Sequence, residues 1–180
     1  MEYSILRSSR KTIAIQITPE AEVLVRCPNR MPKWQIQQFV DSKKTWIEAK
    51  LQKIAARPAV PKLTQQDLNT LARQAAEDLS KRASHFAPLV GVSYGRITIR
   101  CQRTRWGSCS GKGNLNFNCL LMLSPEEIRD YVVVHELCHR KQMNHSPRFW
   151  TEVAAVLPDY SSRKKWLKDN GYALMARLPD

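Results

Sequence analysis

A chain of 180 residues that is 43% hydrophobic is long enough for one ordinary domain with a small lobe attached, and too apolar for wholesale disorder. It holds no apolar run long enough to cross a membrane, and its start, MEYSILRSSRKTIAIQIT, lacks the apolar stretch of a secretory signal, so the expected compartment is the cytoplasm. A net charge of +13 predicts attraction to polyanions (nucleic acid, nucleotides or acidic protein surfaces), although the basic residues are scattered in short clusters rather than blocks.

Between Glu2 and Arg26 apolar residues alternate at Ile13, Ile15, Ile17, Val23 and Val25, which predicts two or three short strands closed by Pro28. From about Pro32 to Ala56 the period becomes helical, with Ile36, Phe39, Val40, Trp46, Ile47, Leu51 and Ile54 three or four residues apart. The proline-rich stretch Arg57–Lys62 predicts a hinge between an N-terminal lobe, residues 1–57, and a core of residues 62–180. A second long helix is expected from about Thr64 to His85, with Leu68, Leu71, Ala75 and Leu79 in its stripe and His85 at its carboxyl end as a surface residue. Strand character returns from Val92 to Cys119. There Leu115, Phe117 and Cys119 point one way, while Asn114, Asn116 and Asn118 give the same strand a polar face. The five cysteines are odd in number and contain no CxxC pair, so they read as small buried hydrophobes rather than disulfides or zinc ligands.

The segment YVVVHELCHRKQMNHSPRFW, Tyr131–Trp150, holds three of the four histidines in the chain. Ser124-Pro125-Glu126-Glu127 predicts its helix start: Ser124 as cap, Pro125 at the first helical position and Glu127 completing a capping box. The helix is expected to stop near Met143-Asn144, with Asn144 in a left-handed cap, and Ser146-Pro147 to begin another that ends before Pro158. His135 and His139, four residues apart, then share one helix face and can reach one ion at about 2.0–2.1 Å. Glu136 is rotated by roughly 100° from His135, off the ligand line but within reach of a water on the metal. His145 lies past the helix break, where the chain can turn back to offer a third nitrogen. Three nitrogens with one open position are the arrangement of a catalytic zinc. The surrounding YVVV is strongly apolar, and a buried histidine and glutamate without partners would be costly, which favours a metal over coincidence. A bare HExxH remains a weak signal, and the third histidine after the break is what strengthens it.

With these residues in view, the chain resembles the YgjP-like metallopeptidase domain, a family related to the SprT-like and WLM groups of zincins. The resemblance is carried by RWGSCS (Arg105–Ser110), YVVVHELCH (Tyr131–His139), NHSPRFW (Asn144–Trp150) and PDYSSRKKWL (Pro158–Leu167). It extends weakly through VRCP (Val25–Pro28) and FVDSKKTWI (Phe39–Ile47). It implies metal ligands at His135, His139 and His145 and a catalytic Glu136. It also implies an α+β zincin-like fold: an HExxH helix beside a small, mostly antiparallel sheet, with an N-terminal β-rich lobe and long helices. Arg140 departs from the commoner apolar residue and is read as an exposed helix end. The RWGSCS–NLNFN hairpin is expected to offer an edge strand for an extended peptide. Arg103, Arg105, Tyr160 and Arg163 are candidates for holding a carboxylate, a phosphate or an oxyanion.

The function expected is that of a zinc-dependent hydrolase acting on peptides or proteins, with Glu136 accepting a proton from an activated water. A nucleotide or phosphoanhydride substrate drawn in by the basic surface is the first alternative. A nucleic-acid-associated protease or zinc-stabilised binding module is the second.

Overall fold

The computed structural model describes residues 2–18, 21–56 and 60–179. The chain divides into two compact units, Met1–Ala59 and Val60–Asp180. Of the expected hinge, Arg57, Pro58 and Ala59 lie outside the described residues. No helix among the described residues is long and apolar enough to cross a membrane.

In the first unit, strands β1 (Ser4–Ser8), β2 (Ala14–Ile17) and β3 (Val23–Pro28) form a sheet in the order β1-β3-β2. Its centre is β3, which alternates Val23, Val25 and Cys27 inward. The single helix expected over residues 32–56 is two, α1 (Lys33–Ser42) and α2 (Lys44–Ala55), broken at Lys43. Ile36, Val40 and Ile47 from these helices bury against β3 in a small core of their own.

The second unit starts with α3 (Gln65–Val90), a full turn longer than expected, so that His85 lies inside it and exposed. Its start is a reciprocal cap: Thr64 Oγ1 accepts from the Asp67 N–H at 3.1 Å, and the Asp67 carboxylate accepts from the Thr64 N–H at 2.8 Å. Gly91, at φ +76, closes it in the left-handed conformation that a side chain would resist. Strands β4 (Ile97–Arg100), β5 (Gly107–Cys109) and β6 (Leu115–Asn118) form the second sheet in the order β4-β6-β5. This sheet is mixed rather than mostly antiparallel: β4 runs parallel to β6, and β5 antiparallel.

The parallel register pairs Ile97 with Leu115 and Arg100 with Asn118. One step further it sets Cys101 beside Cys119, Cα atoms 5.6 Å apart, and the two form a disulfide. The sequence expectation of five unpaired thiols is thereby corrected for these two. A spacing of 18 residues carries no local signal, and only the strand pairing aligns them.

A 3-10 turn, Cys119–Leu123, leads into α4 (Glu126–Cys138), followed by α5 (Pro147–Val156) and α6 (Tyr160–Met175). The helix α4 is buried nearly all round, packed by α3, α5, α6 and β5. Its expected capping box does not form. Ser124 is buried and its hydroxyl donates instead to the Leu121 carbonyl at 2.7 Å, finishing the 3-10 turn. Arg82, Arg129 and Arg163 lace α3, α4 and α6 together through Asp78 and Asp130.

Candidate metal centre

Two turns of α4 and the corner after it build the centre. His135 and His139 stand one turn apart near the end of α4. Residues 139–142 then turn off the helix, and His145 stands two residues before α5. Asn144 does not adopt the expected left-handed cap: among the described residues only Ala21 and two glycines have positive φ. Its side-chain oxygen accepts from the Ser146 N–H at 3.3 Å instead, turning the corner by an Asx-type bond. One ligand atom from each of His135, His139 and His145 lies within 4.8 Å of the others. Nε2 of His145 approaches Nε2 of His135 to 2.9 Å. Phe149, fully buried, is the floor, its ring centroid 4.6–4.9 Å from all three imidazoles.

The donor set fits a cation. His139 Nδ1 lies 2.9 Å from the Gln142 carbonyl oxygen, an acceptor, so the proton sits on Nδ1 and the Nε2 lone pair is free. Burial, with His139, His145 and Lys164 nearby, pulls His135 down to about 3. Burial, His139 and Lys164 lower His145 as well. Both rings are therefore neutral at pH 7, as ligation requires. His135 Nδ1 is buried without a hydrogen-bond partner, so this ring is oriented by packing rather than by an acceptor behind it.

Glu136 is 5% exposed. Burial pushes its carboxyl up to about 8, against the opposing charge of Arg105. Strand β5 crosses directly over it: a Cβ on Gly107 would lie 2.6 Å from Glu136 Oε1. Glycine is needed here for close approach, not for an unusual backbone angle. Burial and the Glu136 charge push the Tyr131 phenol up to about 12, so it stays a neutral donor next to His135.

The other sequence candidates separate. Tyr160 stacks on Trp150 (5.3 Å, 15°), and Trp150 stacks in turn on His145 (5.7 Å, 24°), which brings Tyr160 to the wall of the centre. Arg105 is exposed and close enough to act on Glu136. Arg163 is committed elsewhere, to Asp159 at 2.9 Å and the Glu127 carbonyl at 3.0 Å, where it pins α6 to the start of α4. Arg103 donates to the Pro179 carbonyl and holds the end of the chain. Arg140 is no idle helix end: it bonds the Ser93 and Gly111 carbonyls at 3.0 and 3.2 Å and so fastens the β5–β6 turn.

The asparagine face is structural. Asn118 is fully buried, its amide donating to the Gln102 and Arg105 carbonyls at 2.6 and 3.1 Å and its oxygen accepting from the Leu120 N–H. Asn116 bonds Ser108, and Asn114 accepts from the Arg96 N–H. Strand β6 is central, and β4 and β5 are the two edge strands of the sheet. Two residues near the centre, Gly107 and Lys164, were not singled out by the sequence reading, although both lie in motifs that carry the family resemblance, RWGSCS and PDYSSRKKWL. Gly107 was legible only as part of RWGSCS. Lys164, whose ammonium lies 3.8 Å from the Trp150 ring centroid, sits on α6, a helix too weakly amphipathic to stand out.

The YgjP-like metallopeptidase domain model matches residues 11–72 and 59–170, most of the chain. The chain belongs to this family. As a YgjP-like protein it is a metallopeptidase-type hydrolase, a family that implies a metal, and its three-histidine group is one that could hold such an ion. No curated protein sequence matches it significantly. Two solved structures are similar to part of the chain. The metallopeptidase zymogen abylysin of Pyrococcus abyssi is 25% identical over 57% of this chain and 99% of its own, with a TM-score of 0.47. The metallopeptidase zymogen jannalysin of Methanocaldococcus jannaschii is 20% identical over 53% and 96%, with a TM-score of 0.45.

Proposed function

We propose that this protein is a zinc-dependent peptidase in which His135, His139 and His145 hold the metal and Glu136 is the general base. The observation that carries this reading is a buried carboxyl group beside three converging imidazoles, under an edge strand. Zinc, when bound, supplies Lewis acidity toward water and the scissile carbonyl. Glu136 takes the proton released from the attacking water and delivers it to the leaving amine. Its burial raises its basicity into the useful range, and Gly107 lets β5 clamp the carboxylate from above. No protein donor among the described residues bonds that carboxylate, so its lone pairs are open to the reacting water. An extended substrate adds as a further strand on the unpaired edge of β5, which sets a peptide bond beside Glu136. Tyr160 and Arg105 at the wall are suited to the negative charge that develops on the carbonyl oxygen.

The test is metal content and peptide turnover of wild type against Glu136→Gln. The expected result is about one zinc per chain in both and cleavage lost only in the variant. Absence of zinc after reconstitution, or full turnover by Glu136→Gln, overturns the assignment. Nucleoside triphosphates in the same assay test the phosphoanhydride alternative.

A further inference from the structure

On α6 the cations flanking position 164 are paired, Arg163 with Asp159 at 2.9 Å and Lys165 with Asp169 at 2.6 Å. Lys164 between them has no carboxylate partner among the described residues. Its ammonium rests 3.8 Å from the Trp150 ring centroid, and Trp150 stacks on His145 at 5.7 Å. That chain of contacts keeps Lys164 within a Debye length, about 10 Å, of His145. Arg105 repeats the pattern on the β5 side. It is exposed, without a carboxylate partner among the described residues, and two residues from the Gly107 contact with Glu136.

A free cation beside a metal site is unfavourable on its own terms. It repels the metal, and among the described residues no ion pair offsets that repulsion. It becomes favourable when an anion binds between them. In a peptidase site the available anion is a substrate carboxylate. We propose that Lys164, seconded by Arg105, binds a carboxylate of the substrate, so that the centre selects acidic peptides. This rests on the peptidase reading above and adds a substrate class to it.

The experiment measures binding, not turnover, on zinc-loaded Glu136→Gln. Three peptides of one length are compared by calorimetry: one with Glu and Asp around its centre and an amidated end, its Gln/Asn counterpart also amidated, and that counterpart with a free carboxyl terminus. A carboxylate-bearing peptide is expected to bind about five- to tenfold tighter than the amidated Gln/Asn peptide, with the gap shrinking as salt rises. Which carboxylate is preferred identifies its source, side chain or terminus. Adding Lys164→Gln should bring the gap below about twofold, with zinc content and melting temperature unchanged, and Arg105→Gln should narrow it less. Equal binding of all three peptides, or a preference that survives Lys164→Gln, overturns the inference. So does Lys164-dependent binding of ATP without any carboxylate preference, which would make the anion a phosphate. If the carboxylate preference appears but zinc-loaded wild type cleaves nothing in a mixed peptide pool, this inference stands and the peptidase reading falls.

Discussion

Replacing Gly107 by alanine isolates the contact that holds the proposed base in place. Alanine is at ease in a strand, so the backbone of β5 has no quarrel with it. The new methyl does: it would lie 2.6 Å from Oε1, 2.7 Å from Cγ and 2.9 Å from Cδ of Glu136, where ordinary contact begins at 3.4 Å. Glu136 is 5% exposed and cannot swing out to solvent. The carboxyl must retreat by roughly 0.5–1 Å, or β5 must lift by as much, in a close-packed interior. Overpacking of this kind destabilises by about 1–3 kcal/mol. A displacement of about 1 Å at a catalytic group lowers the rate by about 100-fold. The assay is kcat/KM on a peptide substrate alongside zinc stoichiometry. A drop near 100-fold with zinc retained is expected, and mostly in kcat, because the metal ligands are untouched. The stability loss should also couple to Glu136: in a Glu136→Ala background the methyl has room, and most of the penalty should vanish. Turnover of Gly107→Ala within about threefold of wild type, or a penalty that persists in the Glu136→Ala background, would refute the reasoning.

Three further outcomes follow from the same structure. His145→Ala removes the ligand supplied by the corner and should weaken zinc binding by more than about 100-fold in a chelator competition, since losing even an outer partner costs about 10–100-fold. Asn118→Leu strands two carbonyls and one N–H in the interior. It should destabilise by about 3 kcal/mol, read as a drop of roughly 10 °C in melting temperature. Burial alone would raise Asp78, but the bond and charge of Arg82, joined by Arg129, outweigh it and hold the carboxyl below its usual value. That contribution is present above the unfolded value, near 3.9, and is lost as pH falls through the folded one. Urea melts between pH 5 and pH 3 should therefore lose stability more steeply for wild type than for Asp78→Asn, and parallel curves would contradict the pairing.

Local rules sufficed to group the three histidines, because side chains spaced along a helix form a nearly one-dimensional pattern. Four residues make one turn, so His135 and His139 share a face whatever surrounds them, and Ser146-Pro147 marks a break that leaves His145 free to return. The hydrophobic stripe of α3 and the alternation of β3 were legible for the same reason, since each repeats within a turn or a pleat. What no local rule reaches is which elements meet. The register of β4 against β6 aligns Cys101 with Cys119 across 18 residues. The buried amide of Asn118 serves carbonyls from a distant loop, so a residue that alternation counts as polar face becomes core. Arg163 and Lys164 are neighbours on a weakly patterned helix. Only the packing of α6 against α4 and α5 sends one to an ion-pair network and the other to the Trp150 ring beside the histidines. Sequence by itself thus determined that His135, Glu136 and His139 share the end of one helix with His145 just past its break, because helix geometry is set by hydrogen bonds between near neighbours. Tertiary packing decided what covers Glu136 and which cations remain unpaired at its rim, because those depend on contacts between residues far apart along the chain.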